Sequence, residues 1–328
     1  MTDNGNDVAL SEVIGFVLVL ALIIAAMSLW MVYVVPVNGR EDEITRMNHV
    51  NEQFTDYKLM LDALRTSRDI NSNSPRPVLN TTPVMTSMSF DLGTGDKTQI
   101  GGLSLSLFKP VASYATLSIN STGDTFDIDS SSSHAYKTAL VDFPLNITSL
   151  DYRSNNNYWI QQRYSYQLGG VFLSQDDGAT NRISPLISIV NSVNKSVVVN
   201  VVPVQIFGNG SIGGNNPVRV DTRQRMLPNY NISSSQYLDN TWVNLSVSTA
   251  DNATAAMWLT LFKDIAVREQ LVSSAYTAGS VWVPVSKRTT VFIYINGSNP
   301  DPQLRRVSLY VRRADFDVTL NGIASQLT

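Results

Sequence analysis

Between Val13 and Val35 the chain runs for 23 residues without a charge or a proline, and no other feature restricts it so severely. At about 1.5 Å per residue such a helix is roughly 35 Å long, enough to cross a hydrocarbon core of about 30 Å. A cleavable secretory signal has a shorter apolar stretch, about 7–15 residues, behind a basic start and before a small-x-small exit. Here the preceding MTDNGNDVALSE holds Asp3, Asp7 and Glu12 but no Lys or Arg. The far end is bulky, with Trp30, Tyr33 and then Pro36. Trp and Tyr suit a membrane–water interface. The segment therefore reads as a single-pass anchor, neither a signal peptide nor the core helix of a soluble protein.

Orientation follows from two weaker features. Arg40 is the basic residue nearest either end and lies on the C-terminal side, against the usual bias of Lys and Arg toward the cytoplasm. The N-terminal flank is only a dozen residues, however, and long C-terminal domains translocate largely regardless of charge. Nine N-x-[ST] triplets begin at Asn80, Asn120, Asn146, Asn194, Asn209, Asn231, Asn244, Asn252 and Asn296, all after the anchor. Composition alone would produce about five, so the excess favours a glycan-bearing C-terminal domain outside the membrane and a cytoplasmic N-terminus. Membrane lipid is the first expected partner.

Composition narrows the chemistry. A net charge of -3 and no concentrated basic stripe argue against nucleic-acid binding. Cysteine is absent, which removes disulfides and thiolate sites, and only His49 and His134 are available as imidazoles. Charged residues make up 16% of the chain, below the roughly 25% usual for soluble domains. Ser, Thr and Asn take their place, as on many cell surfaces.

Ala9-Leu10-Ser11-Glu12-Val13-Ile14-Gly15 resembles the N-terminal region of archaeal type IV pilin-like proteins, whose entry into the apolar helix reads A-V-S-P-V-I-G. Ser11, Val13, Ile14 and Gly15 match directly; Glu12 stands where that family has proline, and the leader carries no basic residue. The resemblance implies a processing site between Ala9 and Leu10, and a helix that stays in the membrane or self-associates in the centre of a filament. It also implies a role for Ser11 and Gly15 at the start of that helix, while Glu12 resembles the glutamate near the start of bacterial pilins, a carboxylate that can neutralise a new α-amino group among neighbouring subunits. Read locally, Ser11 and Glu12 form the first helical turn, where a capping hydroxyl and a negative charge are favourable anyway. The whole chain further resembles larger archaeal surface proteins that join such an N-terminus to a β-rich exterior.

Beyond Pro36 the pattern stays helical. Met47, Val50, Phe54, Tyr57, Leu61 and Leu64 recur at intervals of three and four, a stripe that forms a short coiled coil or, the preferred reading, packs on the exterior domain. His49 falls off the stripe. RDINSNSPRPVLNTTP then ends the helix near Ser67.

Alternation of period two takes over: Leu103, Leu105 and Leu107; Ala115, Leu117 and Ile119; Val243, Leu245 and Val247; Val291, Ile293 and Ile295. SVVVNVVPVQIFG is apolar on both faces and predicts a central strand with a bulge or edge at Pro203. In RRVSLYVRRADFDVTL the phase switches, with Val307, Leu309 and Val311 odd and Phe316, Val318 and Leu320 even, so a bulge is expected near Arg312 and Arg313. One stretch is helical in pattern, about 252–273, with Met257, Trp258, Leu261, Phe262 and Ile265 on one stripe and Asp251 or Asn252 as cap. It is expected to cover an open sheet edge or end.

The predicted class is α+β, a long transmembrane and stalk helix followed by a mainly antiparallel β-sandwich with one inserted helix. Its divisions are a leader at 1–12, the span at 13–35, the stalk at 36–68, a linker at 69–84 and the β-rich exterior at 85–328.

Motifs that carry chemistry are few. GTGDKT at 93–98 lacks the Gly-Lys pair of a phosphate loop, and GNGSIGG places Asn209 where a nucleophile elbow needs glycine. Asp124, Asp127 and Asp129 supply enough oxygens to suggest weak calcium binding, with an exposed strand end as the plainer alternative. Neither catalysis nor a cofactor is expected. The leading expectation is a structural, adhesive or partner-binding surface protein, with surface-layer or glycan partners. A filament subunit cleaved before Leu10 is the alternative. A membrane-tethered hydrolase or carbohydrate-binding domain, the second alternative, predicts a cleft lined by paired carboxylates or exposed aromatics.

Overall fold

The computed structural model describes residues 5–72, 84–94, 109–131, 143–191, 196–225, 239–296 and 306–322. The strand expected at Leu103–Leu107, most of GTGDKT, His134, and Asn80, Asn194 and Asn231 lie outside them.

One continuous helical rod opens the chain. Helix α1 (Gly5–Leu29) passes through a five-residue π turn (Trp30–Val34) into α2 (Val35–Ser72). The π turn has a direct cause. Proline at 36 has no N–H to donate and its ring crowds the carbonyl four residues back, on Val32. A widened turn just before it, closed by Val35 N–H on the carbonyl of Trp30, lets the rod continue. Two boundaries differ from expectation. The rod starts at Gly5, so Ser11 and Glu12 are interior to it rather than its first turn. It ends at Ser72 rather than near Ser67, because Asn and Ser end a helix less sharply than proline does.

The stripe on α2 is spent on the domain, not on a coiled coil. Met47, Val50, Phe54, Tyr57 and Leu61 are each exposed by 3% or less, and Leu64 packs beside them. They lie against β1 (Met85–Phe90), β4 (Arg163–Gln167) and β5 (Gly170–Gln175). Phe54 meets Phe90 edge-on at 5.2 Å and stacks on Tyr164 at 5.8 Å.

The main sheet has nine strands. Along it run β14 (Tyr276–Val283), β15 (Arg288–Asn296), β13 (Trp242–Thr249), β2 (Tyr114–Ser130), β3 (Leu145–Asn155), β4, β5 and β6 (Gly178–Ile183). The ninth, β10 (Gly210–Gly214), pairs with the first half of β2. All these pairings are antiparallel.

Between β2 and β5 both faces of this sheet carry buried residues, each covered by a different part of the molecule. On β3, Leu145 and Ile147 enter one core while Leu150 and Tyr152 enter another. Side chains alternate across a strand, so on β3 odd and even positions face opposite ways; the first half of β2 and β5 run in the opposite phase, with Leu117 and Leu173 on the face of even β3 residues. The even face is covered by α2 and by a sheet of β1, β11 (Val218–Gln224), β17 (Ala314–Gly322) and β9 (Val204–Phe207). The odd face is covered by helix α3 (Asn252–Arg268) and by a sheet of β12 (Asp239–Asn240), β16 (Val307–Val311), β8 (Val197–Val202) and β7 (Leu186–Asn191).

Two strand pairs cross between those outer sheets together. β8 runs parallel to β16, and β9 parallel to β17. The crossing falls at Pro203 on one segment and at Arg312 and Arg313 on the other, where amides of Arg312 and Ala314 donate to the carbonyls of Val201 and Pro203. The proline and the phase switch mark one shared bend. These two pairings are the parallel exceptions in a mainly antiparallel domain.

Helix α3 begins at Asp251, whose carboxylate accepts from the Thr254 amide at 2.9 Å. It ends sooner than the pattern suggested, at a turn where Gln270 has φ of 51°. Trp258, Leu261, Phe262 and Ile265 are buried against β13, β14 and β15 on one side and β6 and β7 on the other. Strands β14 and β6 are the opposite ends of the main sheet. The sheet therefore curls, and α3 spans the gap between its ends.

Candidate functional site

Two features stand out: the uncovered rod at the N-terminus and a polar cavity on the odd face of the main sheet. The rod contains an 18-residue window of mean hydropathy 2.7, none of it buried. Fifteen large apolar side chains from Val13 to Tyr33 are exposed, Phe16 by 69% and Leu22 by 71%. At about 1.5–3 kcal/mol for a fully exposed side chain, and with about half of each surface exposed, leaving them in water costs on the order of 10–20 kcal/mol. No other described residue covers them. The bond between Ala9 and Leu10 and the backbone of Ser11 lie within α1; Glu12 is exposed, and Gly15 has open space where a Cβ would stand.

Just beyond this segment the rod is locked to the β-domain. Glu43, exposed by 1%, accepts the amides of Asn157 at 2.6 Å and Tyr158 at 2.9 Å. Arg46 donates to the carbonyl of Leu92 at 3.3 Å and to Oδ1 of Asn156. The Arg40 guanidinium sits 4.3 Å from the centre of the Trp159 ring. Gly39 meets the Tyr158 ring so closely that any side chain there would collide with it. His49 is half exposed, 3.5 Å from Asp91 and 3.7 Å from Glu52.

The cavity measures about 280 Å³ and opens beside the N-terminus of α3. Its floor consists of the alternate positions of strands whose other residues bury in the α2 core. Tyr164 and Tyr166 point to that core, so Arg163, Ser165 and Gln167 point to the cavity. Asn120, Asp151 and Ser174 join them, and Asp251, Thr254 and Met257 form the opposite wall.

Asp151 is the centre of the floor. It is exposed by only 3%; Oδ2 accepts from Arg163 at 2.6 Å and from Asn120 at 3.5 Å. Its Oδ1 is buried and has no hydrogen-bond partner among the described residues, and neither has Nε of Arg163. Asp124, at the rim, pairs with Arg288 at 2.9 Å. Burial raises its carboxyl above the usual range, against opposing hydrogen bonds from Thr249 and Thr122 and the charge of Arg288. Asp251 shifts the other way. Burial pushes it up, but the hydroxyl and amide of Thr254, the Ala253 amide and the charge of Arg163 outweigh that and hold it low.

The three aspartates of GDTFDID do not converge. Asp124 shares the buried face of β2 with Phe126 and Ile128, while Asp127 and Asp129 alternate onto the other. Among the described residues no three His, Asp or Glu side chains are placed to hold a metal ion. Of the sequon residues, Asn146 and Asn209 are exposed, Asn252 is exposed at the first position of α3, and Asn244 and Asn296 are half-buried on β13 and β15. Asn120 is exposed at the cavity. Ser211 of GNGSIGG lies exposed on β10, opposite Ser118.

Asp151, Arg163 and Asp251 were not singled out in the sequence as a group. The available signal was the polar alternation in LDYRSN and RYSYQ, whose convergence requires the strand order. Comparison with protein-family models, characterised proteins and solved structures finds no match to this chain.

Proposed function

We propose that the protein is a single-pass, pilin-like archaeal surface protein whose N-terminal helix anchors it and whose β-rich domain serves structure, adhesion or partner binding outside the cell, without enzymatic activity. One observation carries this reading: an apolar, wholly uncovered helical segment leads without a break into a helix locked on the domain. Lipid is the medium that relieves that exposure for a single chain. The clamp at Glu43 and Arg46 then holds the domain at a fixed distance from the membrane rather than on a loose tether.

Protease added to intact cells tests the orientation. Trimming of the β-domain while the first residues stay protected supports an exterior domain; protection of the domain until the membrane is opened overturns it.

The filament reading draws on the same exposure, since sibling helices cover apolar surface as lipid does. Glu12 and Gly15 on an unpartnered helix also suit close packing with other copies. The intact mass of the native protein separates the two. A chain beginning at Leu10 favours the filament subunit, and one retaining the leader favours the anchored monomer.

A further inference from the structure

We propose that the end of the β-domain that grips the rod also sits on the bilayer, with the β3–β4 loop (residues 156–162), Val111 and Tyr114 seated in a zwitterionic phospholipid headgroup layer. This deepens the anchoring role and rests on it.

Height along the rod is the first observation. The loop follows the rod toward its apolar end. Asn156 meets Arg46, Asn157 and Tyr158 meet Glu43, the Tyr158 ring lies on Gly39, and the Trp159 ring faces Arg40. Gly39 stands six residues past Tyr33, where the exposed apolar run ends, or about 9 Å along a helix. Headgroup regions add about 5–8 Å to each side of the hydrocarbon core. Side chains that reach from the loop past Gly39 toward the span therefore enter that layer. The rod is continuous from Tyr33 into the segment clamped by Glu43 and Arg46, so this height is fixed.

Surface chemistry is the second. Val111 is exposed by 65%, Tyr114 by 50%, Ile160 by 46% and Val37 on the rod by 63%. Single exposed apolar residues are ordinary on any surface, but these gather at one end of the domain. The Val111 amide donates to the Tyr158 hydroxyl at 3.1 Å, Nδ2 of Asn157 donates to the carbonyls of Val111 and Ala112, and Tyr114 pairs with Asn155. Trp and Tyr, each with an apolar body and a polar tip, favour the membrane–water interface.

Charge selects the headgroup. Arg40 is exposed and makes no ion pair among the described residues, and Glu41 and Asp42, also exposed, follow it. Charges of both signs match a layer that holds phosphate and ammonium groups together. A strongly anionic surface would repel the two carboxylates.

The test uses the full-length protein, which has no cysteine of its own. Nitroxide labels are placed singly by Ile160→Cys and Val111→Cys. Phe16→Cys is the hydrocarbon reference, and Thr241→Cys, exposed at the opposite end of β2 from the loop, is the aqueous one. Each variant is reconstituted at low density in phosphatidylcholine vesicles. Electron paramagnetic resonance then reads collisions with oxygen, which partitions into lipid, and with a water-soluble nickel chelate. The expected result for labels at Ile160 and Val111 is nickel accessibility about threefold or more below that at Thr241, with oxygen accessibility retained. Nickel accessibility equal to that at Thr241 for either label overturns the proposal and, while Phe16 reads hydrocarbon, leaves the anchor standing. Loss of access to both reagents overturns it too, since a second copy of the chain then covers the surface in place of lipid. A water-exposed label at Phe16 brings down the anchor itself and the seat with it.

Discussion

Glu43 gives up its water to accept two backbone amides from a loop more than a hundred residues along the chain. Hydrogen bonds to a charged group contribute about 1.5–3 kcal/mol each, and deleting the carboxylate strands two donors. Glu43→Ala is therefore expected to lower stability by about 2–4 kcal/mol in urea unfolding of the detergent-solubilised protein, while Glu43→Gln, which keeps one acceptor, costs less. A change below about 0.5 kcal/mol in the alanine variant contradicts the clamp. In the sequence Glu43 ends the run Glu41-Asp42-Glu43, and nothing local separates it from its solvated neighbours. Only the loop that folds over it does so. The buried phenols make a second residue-scale prediction. Desolvation lifts Tyr152 to about 12, lifts Tyr57 higher still and lifts Tyr166 well above the ordinary 10.0. Their folded pKa values exceed the unfolded ones, so their contribution is complete below pH 10 and is lost as pH rises through the folded values. Stability should fall steeply between pH 10 and 12, with phenolate absorbance of these groups appearing together with unfolding. Free titration of every tyrosine near pH 10 in a still-folded protein would contradict their burial.

Among the elements, α2 depends most on its stripe. Phe54→Ala removes a ring packed between Phe90 and Tyr164, and should cost about 3–5 kcal/mol by thermal or urea unfolding. Loss of less than about 1 kcal/mol would mean the stripe does not seat the helix. That stripe was legible because its spacing of three and four matches one helix face. The strands were legible for a like reason, alternation, as at Val243, Leu245 and Val247. Pro203 and the switch at Arg312–Arg313 were each visible as irregularities. Their pairing into a single bend was not, because the register of β8 with β16 joins residues more than a hundred positions apart. The continuation of the helix beyond Pro36 was legible too; the π turn that lets it continue was not.

At the scale of the molecule, the curled sheet explains both the domain and its cavity. Alternation tells which residues oppose one another on a strand, but not which core each side joins. On β3, Leu145 and Leu150 look equivalent in sequence and serve opposite faces. The cavity was hidden for the same reason. Asp151 and Arg163 meet only when β3 pairs with β4, and Asp251 only when α3 spans the sheet. The anchor needed no such knowledge, since uninterrupted apolarity is a local property. It also carries the central claim, that the exposed rod from Val13 to Tyr33 resides in hydrocarbon. Sedimentation of native membranes after an alkaline carbonate wash tests this most directly. The full-length protein should stay in the pellet and enter the supernatant only with detergent; its release by carbonate alone, as a dispersed species, would contradict the account.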